Sequence, residues 1–234
     1  MSANNKIYRS IVSGVGASLP KEIVTNKDLS MRMDTSEEWI EERTGIKERR
    51  IASEGETTSS LGTKAAQIAI NNSGLKNSDI DLIVLATATP DNTFPASATL
   101  IQSSLGIEKG YAYDMQAVCS GFVFAVEAAD NAIKAGNIKN ALVIGSETFS
   151  RILDWDDRST CVLFGDGAGA MVLSASSDDT NRGVLSNHLH ADGRDKGLLY
   201  VDVGPSISNQ VGLSRSDGKG VFKQSVRNLS SAII

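Results

Sequence analysis

Ile80-Asp-Leu-Ile-Val-Leu-Ala86 is a nearly unbroken apolar run without strict alternation, the pattern of a strand buried on both faces. Upstream, a helix from Thr57–Thr58 carries Leu61, Ala65, Ile68 and Asn72 at three- and four-residue spacing and stops at Gly74. Downstream, Phe94-Pro95 leads into a second helix with Ala98, Ile101 and Leu105, closed by Gly106. A strand over Ala112–Val118 follows, then a long helix from Cys119 to about Ala135, then a strand over Asn140-Ala-Leu-Val-Ile-Gly145. Helices alternating with buried strands predict α/β layers around a mostly parallel mixed sheet.

The composition agrees with such a core. Of 234 residues, 41% are hydrophobic and 22% charged, which excludes a disordered chain and fits one large domain or two small ones. A net charge of −5 argues against nucleic acid as partner, since that affinity rests on cations neutralising phosphates. Two cysteines cannot build a disulfide framework or a Cys₄ metal site. Met1–Arg9 lacks the apolar core of a signal peptide, and the run Ile83–Ala88 is far too short to span a membrane. These features predict a soluble, cytoplasmic protein.

Beyond the alternating region the pattern changes. Residues 164–173, Phe-Gly-Asp-Gly-Ala-Gly-Ala-Met-Val-Leu, read as a glycine turn entering a strand, and the polar stretch 175–182 reads as a linker. A strand over Gly183–His190 is expected next, then an aperiodic Gly- and Ser-rich stretch. A helix from Gly220 follows, with Val221, Ser225, Leu229 and Ile233 on one stripe. The chain is thus expected to divide into residues 1–174 and residues 175–234. The unpartnered stripe at the end of the second part leads to the expectation of an incomplete second half.

Cys119 stands where the strand is expected to turn directly into the helix. The positive end of a helix dipole and unpaired N–H groups stabilise negative charge developing on sulfur, and Ala117, Ser120 and Gly121 leave room for a substrate. The alternative is an ordinary buried cysteine. Cys161, in Thr160-Cys-Val-Leu-Phe, reads as a core cysteine in an apolar strand. His188 and His190, with Asp192 nearby, lack the further ligands a metal needs, so no metal is expected. Gly165-Asp-Gly-Ala-Gly169 has the wrong spacing for a dinucleotide loop and reads as a tight turn. Thr35 and Glu38 have capping-box spacing, and Trp39 and Arg43 lie one helical turn apart. With Arg158, from the polar segment 154–159, they could sandwich a purine ring. Singly, each reads as a core tryptophan or a solvated charge.

Taken in order, four strings resemble the β-ketoacyl-acyl-carrier-protein synthase III family, the initiating condensing enzymes of bacterial fatty-acid synthesis, within the thiolase-like superfamily. They are Asp34-Thr-Ser-Glu-Glu-Trp-Ile with Arg43-Thr-Gly-Ile-Lys-Glu-Arg, Phe94-Pro-Ala-Ser-Ala, Ala117-Val-Cys-Ser-Gly-Phe122, and Phe164-Gly-Asp-Gly-Ala-Gly-Ala. His188-Leu-His-Ala-Asp-Gly193 supports them, and the resemblance runs from residue 6 to about residue 223. It implies a thiolase-like layered α/β/α fold and a homodimer, with acyl-CoA and malonyl-acyl-carrier-protein as substrates and no cofactor.

Position by position, Cys119 resembles the acyl-accepting nucleophile, its own N–H one oxyanion donor. Trp39 and Arg158 resemble the sides of an adenine sandwich for CoA, with Thr35 and Arg43 beside them. Phe94 resembles the residue that crosses the dimer interface into the partner's acyl pocket, Leu163 and Phe164 resemble walls of that tunnel, and Lys223 matches a carrier-docking cation. Ser216 and Asp217 give no match at the pantetheine position. One departure is large. The family's enolate-stabilising His, followed by a Gln-Ala-Asn-like string, and its Asn, in a Gly-Asn-Thr-Ser-like string, are absent from the 234 residues. The chain itself is therefore expected to be inactive in condensation and to be an N-terminal portion of such a synthase. Another thiolase-like acyltransferase, and a non-catalytic CoA- or carrier-binding module, are the alternatives.

Overall fold

The computed structural model describes residues 9–177 and 182–233. In chain order the elements are β1 (Arg9–Ser18), β2 (Glu22–Thr25), α1 (Asn26–Ser30), α2 (Glu37–Thr44), β3 (Glu48–Ile51), α3 (Thr58–Ser73), β4 (Leu82–Ala86), α4 (Ser97–Ser104), β5 (Tyr111–Met115), α5 (Gly121–Lys134), β6 (Asn140–Glu147), β7 (Gly167–Ser176), β8 (Leu199–Val201), β9 (Ser214–Ser216) and α6 (Gly218–Ile233). They form two compact units interleaved along the chain. One falls within Met1–Pro20, Ala52–Thr148 and Gly167–Leu189, the other within Lys21–Ile51, Phe149–Asp166 and His190–Ile234. These units describe packing, not the expected division into halves at 174/175.

The first unit is a five-stranded sheet, β1-β7-β6-β4-β5, with helices on both faces. β4 pairs in parallel with β5 and β6, whereas β7 runs antiparallel to β6 and β1, so the sheet is mixed. Every residue of β4 is buried, because alternate side chains enter different cores. Ile83 and Leu85 pack with Leu61, Ala65, Ala69 and Ile101 of α3 and α4. Leu82, Val84 and Ala86 pack with Ala125, Ala129 and Ile133 of α5.

Local chemistry sets the helix ends. Thr57 caps α3 by accepting from Ser60 N while the Ser60 hydroxyl accepts from Thr57 N, and Gly74 ends the helix at φ 75°. The buried face of α3 differs from the expected stripe. Leu61, Gly62, Ala65, Ala66, Ala69 and Ile70 face inward, whereas Ile68 and Asn72 are exposed. Small residues are selected there because α3 lies directly on β1. An added Cβ at Gly16 would stand 2.3 Å from Ala65 O, and one at Gly14 would stand 2.2 Å from Ala69 O. Gly16→Ala should therefore destabilise the fold by about 1–3 kcal/mol from overpacking. That exceeds the roughly 0.4–1 kcal/mol gained by restricting the unfolded chain. The check is the urea midpoint, and an unchanged midpoint would contradict the close packing.

Several sequence expectations are corrected. β5 ends at Met115, three residues before Val118, because the chain leaves the sheet to make a short 3₁₀ turn over Val118–Ser120. Cys161 lies in successive turns over 158–163, not in a strand, with its N–H donating to Asp157 O at 3.0 Å. Residues 183–190 are irregular: Val184 N–H is satisfied by Ser10 O, but no ladder forms. The stretch beyond, read as aperiodic, contains the small antiparallel pair β8–β9. β7 continues to Ser176, into the stretch expected to be a linker, of which residues 178–181 lie outside the described residues. So do residues 1–8, Ile234 and the Ile233 side chain, and with them parts of the leader and stripe readings.

The second unit holds β2–β3, α1, α2, β8–β9 and α6. Its core gathers Val24, Leu29, Ile40, Leu153, Cys161 and Val162, with Trp39, Phe149 and Phe164 packed against it.

Candidate active site

Cys119 is exposed within the turn that joins β5 to α5. Ser120 N–H donates to Ala117 O at 3.1 Å, and Gly121 N–H turns back to Val118 O. The cysteine therefore precedes Ser120, the N-cap of α5, instead of opening the helix itself. Gly121 is needed because a Cβ there would meet Ala86 Cβ at 3.2 Å. Val118 adopts φ 47°, unusual for a β-branched residue. This strained backbone, worth on the order of 1–3 kcal/mol, turns the chain out of the sheet and presents Cys119 at the end of the parallel strands. Cys161 is fully buried as expected of a core cysteine, its Sγ 3.6 Å from Met33 Sδ, and burial pushes its thiol up.

In the other unit, Trp39, Arg43 and Arg158 come together. The guanidinium carbons of Arg43 and Arg158 lie 4.6 Å and 5.1 Å from the Trp39 ring centroid. Arg43 is one turn along α2, and its Nη1 donates to Trp39 O at 3.4 Å. Arg158 arrives from the 158–163 turns and is held by the backbone oxygen and carboxylate of Asp34. The cap of α2 is Ser36, whose hydroxyl accepts from Trp39 N–H at 3.1 Å, one residue later than the expected cap Thr35. Thr35 Oγ1 is instead buried, with no hydrogen-bond partner among the described residues. An indole faced by two guanidinium groups suits the face of a heterocyclic base.

The remaining candidates are dispersed. Phe94 is 84% exposed, Leu163 is exposed, and Phe164 stacks on Phe149 at 4.5 Å between centroids. Lys223 is exposed on α6 with Lys219 and Arg227 one turn to either side. Gly165-Asp-Gly forms a tight turn whose Asp166 accepts from Ser150 N–H and Oγ at 2.8 Å and 2.6 Å. Among the described residues no three His, Cys, Asp or Glu side chains gather as a metal site would require, and no helix is long and apolar enough to cross a membrane.

The comparisons with known proteins point one way. The profile of the 3-oxoacyl-[acyl-carrier-protein (ACP)] synthase III family matches residues 113–193. A β-ketoacyl-[acyl-carrier-protein] synthase III of Paramagnetospirillum magneticum is 56% identical over 97% of this chain and 71% of its own length. The chain belongs to the synthase III family. Another relative of that name, from Chelativorans sp., is 59% identical over 97% of this chain and 71% of its own length. The solved synthase III of Aquifex aeolicus superposes with a TM-score of 0.85 at 46% identity, covering 92% of this chain and 66% of that one. The Pseudomonas aeruginosa enzyme gives a TM-score of 0.89 at 37% identity, covering 96% and 69%. The fold is thus the thiolase-like layering the resemblance implied, and synthase III membership makes the protein an acyltransferase of the initiating condensing type.

Two polar groups near these elements carry no signal in the sequence. Glu147, at the end of β6, accepts from Ala88 N–H at 2.7 Å and Thr89 Oγ1 at 2.5 Å, while burial pushes its carboxyl up. Arg49, on β3, is buried without a carboxylate partner among the described residues. Each sits in a short polar string that reads as surface.

Proposed function

We propose that the protein takes an acyl primer, acetyl in the first instance, from acyl-CoA onto Cys119 and condenses it with malonyl-acyl-carrier-protein. Cys119 Sγ attacks the thioester carbonyl, the bond from that carbon to the CoA sulfur breaks, and CoA departs with the proton formerly on Cys119. The oxyanion formed in between is held by the Cys119 N–H. In condensation, malonyl-acyl-carrier-protein loses CO₂, its enolate carbon attacks the acyl carbon, and Cys119 sulfur leaves. The observation that carries the reading is Cys119 itself, the exposed cysteine, displayed by a strained turn ahead of α5 in a synthase III chain. Mixing the protein with acetyl-CoA should release about one equivalent of free CoA per chain, as an accumulating acyl-enzyme does. No release would overturn the reading.

Trp39, Arg158, Thr35 and Arg43 are assigned to the CoA nucleotide. A base entering between Trp39 and Arg158 must move the guanidinium off the ring and away from Asp34. That gives up about 0.5–1 kcal/mol of exposed cation–π attraction, whereas a base–indole stack is worth about 1–3 kcal/mol, so stacking wins. Trp39→Ala should then weaken CoA binding by about 1–2 kcal/mol, roughly 5- to 30-fold in calorimetric Kd. An unchanged Kd would make Trp39 a core residue only.

Phe94 and the open edge of β5 support a homodimer, with Phe94, Leu163 and Phe164 assigned to the acyl pocket. The cations of α6, Lys223 among them, support docking of an acidic carrier protein in the cytoplasm. Residues 1–174 are assigned to the thiolase-like half that carries the nucleophile, and residues 175–234 to part of the second. The second reading, a non-catalytic CoA- or carrier-binding module, is separated by the same CoA-release assay, since such a module would bind acetyl-CoA without releasing CoA.

A further inference from the structure

We propose that Arg49 is the positioning residue of the nucleotide mouth, its forked guanidinium tying the turn that bears Arg158 to the segment that leads into Trp39. Arg49 is only 6% exposed. Its Nη1 donates to Val24 O at 3.1 Å, and its Nη2 donates to Asn26 Oδ1 at 2.9 Å and Val162 O at 3.2 Å. Val24 is the last residue but one of β2 and Asn26 opens α1, the elements immediately before Thr35 and Trp39. Val162 lies in the 158–163 turns, four residues after Arg158.

The neighbouring contacts reinforce this tie. Asn26 Nδ2 donates to Ile46 O at 2.6 Å, and Asp166 N–H donates to Arg50 O at 2.8 Å. β3 therefore grips the 158–166 segment with both its backbone and its Arg49 side chain. Three neutral oxygens hold this cation, its Nε has no partner, and no carboxylate among the described residues neutralises it. Burying an unpaired charge is expensive, and an apolar side chain would fill the same volume more cheaply. What an apolar residue cannot do is tie the 24–26 segment to the 158–163 turns through hydrogen bonds. A lysine cannot do so either, because its point charge lacks the planar fork.

The inference rests on the nucleotide reading of Trp39 and Arg158, and the test separates the two. Binding of CoA and of 4′-phosphopantetheine, which lacks the nucleotide, is measured by calorimetry on the full chain and on Arg49→Met, Arg49→Lys and Trp39→Ala. Misplacing the mouth cannot cost more than removing its stacking face, so both Arg49 variants should lose about 5- to 30-fold in CoA affinity, the loss expected of Trp39→Ala. Their 4′-phosphopantetheine affinity should stay within about twofold, as for an independent site. An equal loss for both probes would mark Arg49 as merely structural and overturn the proposal. So would wild-type CoA affinity in Arg49→Lys, since charge alone would then suffice. If Arg49→Met shows no cooperative melt, Arg49→Lys carries the test. Trp39→Ala without effect on CoA would remove the nucleotide reading and the proposal with it. An effective Trp39→Ala beside silent Arg49 variants would overturn the proposal alone.

Discussion

Incubation with acetyl-CoA is expected to place one acetyl group on the peptide containing Cys119, and Cys119→Ser should lower that rate by on the order of 10⁴-fold or more. The chain has two thiols, and their surroundings differ in kind. Cys119 is exposed in a turn shaped by Val118 at φ 47°. Cys161 is fully buried among Val24, Leu29, Ile40 and Leu153, and burial pushes its thiol up, so it has neither access nor thiolate to offer. Peptide mass mapping after acetyl-CoA, with an iodoacetamide arm on the native protein, should mark Cys119 in both cases and Cys161 only after denaturation. Acetyl on the Cys161 peptide, or undiminished labelling of Cys119→Ser, would refute the assignment.

The parts of this arrangement that were readable from residues are those fixed by local chemistry. Thr57 and Gly74 bound α3 because a hydroxyl cap and a left-handed glycine act within a few residues of themselves. β4 and β6 were readable because a strand with neighbours on both sides has to be apolar. Trp39 and Arg43 were readable as a pair at helical spacing, whereas Arg158, 119 positions away from Trp39, was joined to them by the chemistry of a base sandwich and by the family resemblance, not by any local spacing.

The failures have a physical pattern too. Val118 looks like strand because β-branched residues favour strands, and nothing local announces the φ 47° that the turn imposes. Val184 and Leu185 look like strand, but Val184 meets the β1 edge through its N–H to Ser10 O without extending into a ladder, and Leu185 is exposed. Three-residue strands such as β8 and β9 are too short to show a period. Arg49 is hidden most completely, because its three acceptors are two backbone oxygens and one amide oxygen, and a backbone oxygen leaves no trace in composition.

By themselves these 234 residues, which span 71% of the length of the Paramagnetospirillum magneticum relative, are expected to give no measurable β-ketoacyl product from malonyl-acyl-carrier-protein even where acetyl transfer to Cys119 proceeds. The proposed condensation is expected only of a chain that also carries the His and Asn strings. Transfer needs a nucleophile, a thioester held within reach and a donor to the oxyanion, and in the proposed function Cys119 supplies the first and the last from its own side chain and N–H. Condensation adds a second charge problem. Loss of CO₂ leaves an enolate whose oxygen must be met by preorganised donors, and removing one such donor typically costs about 100- to 1000-fold. The resemblance assigns that work to a His and an Asn in strings this sequence does not contain. His188 and His190 lie in irregular chain within a different string and do not replace them. Two missing donors correspond to about 10⁴- to 10⁶-fold if they act independently, which takes turnover below ordinary detection. Assaying the half-reactions separately, CoA release for transfer and CO₂ release with product mass for condensation, decides the matter. Robust condensation by these 234 residues would mean that other groups hold the enolate.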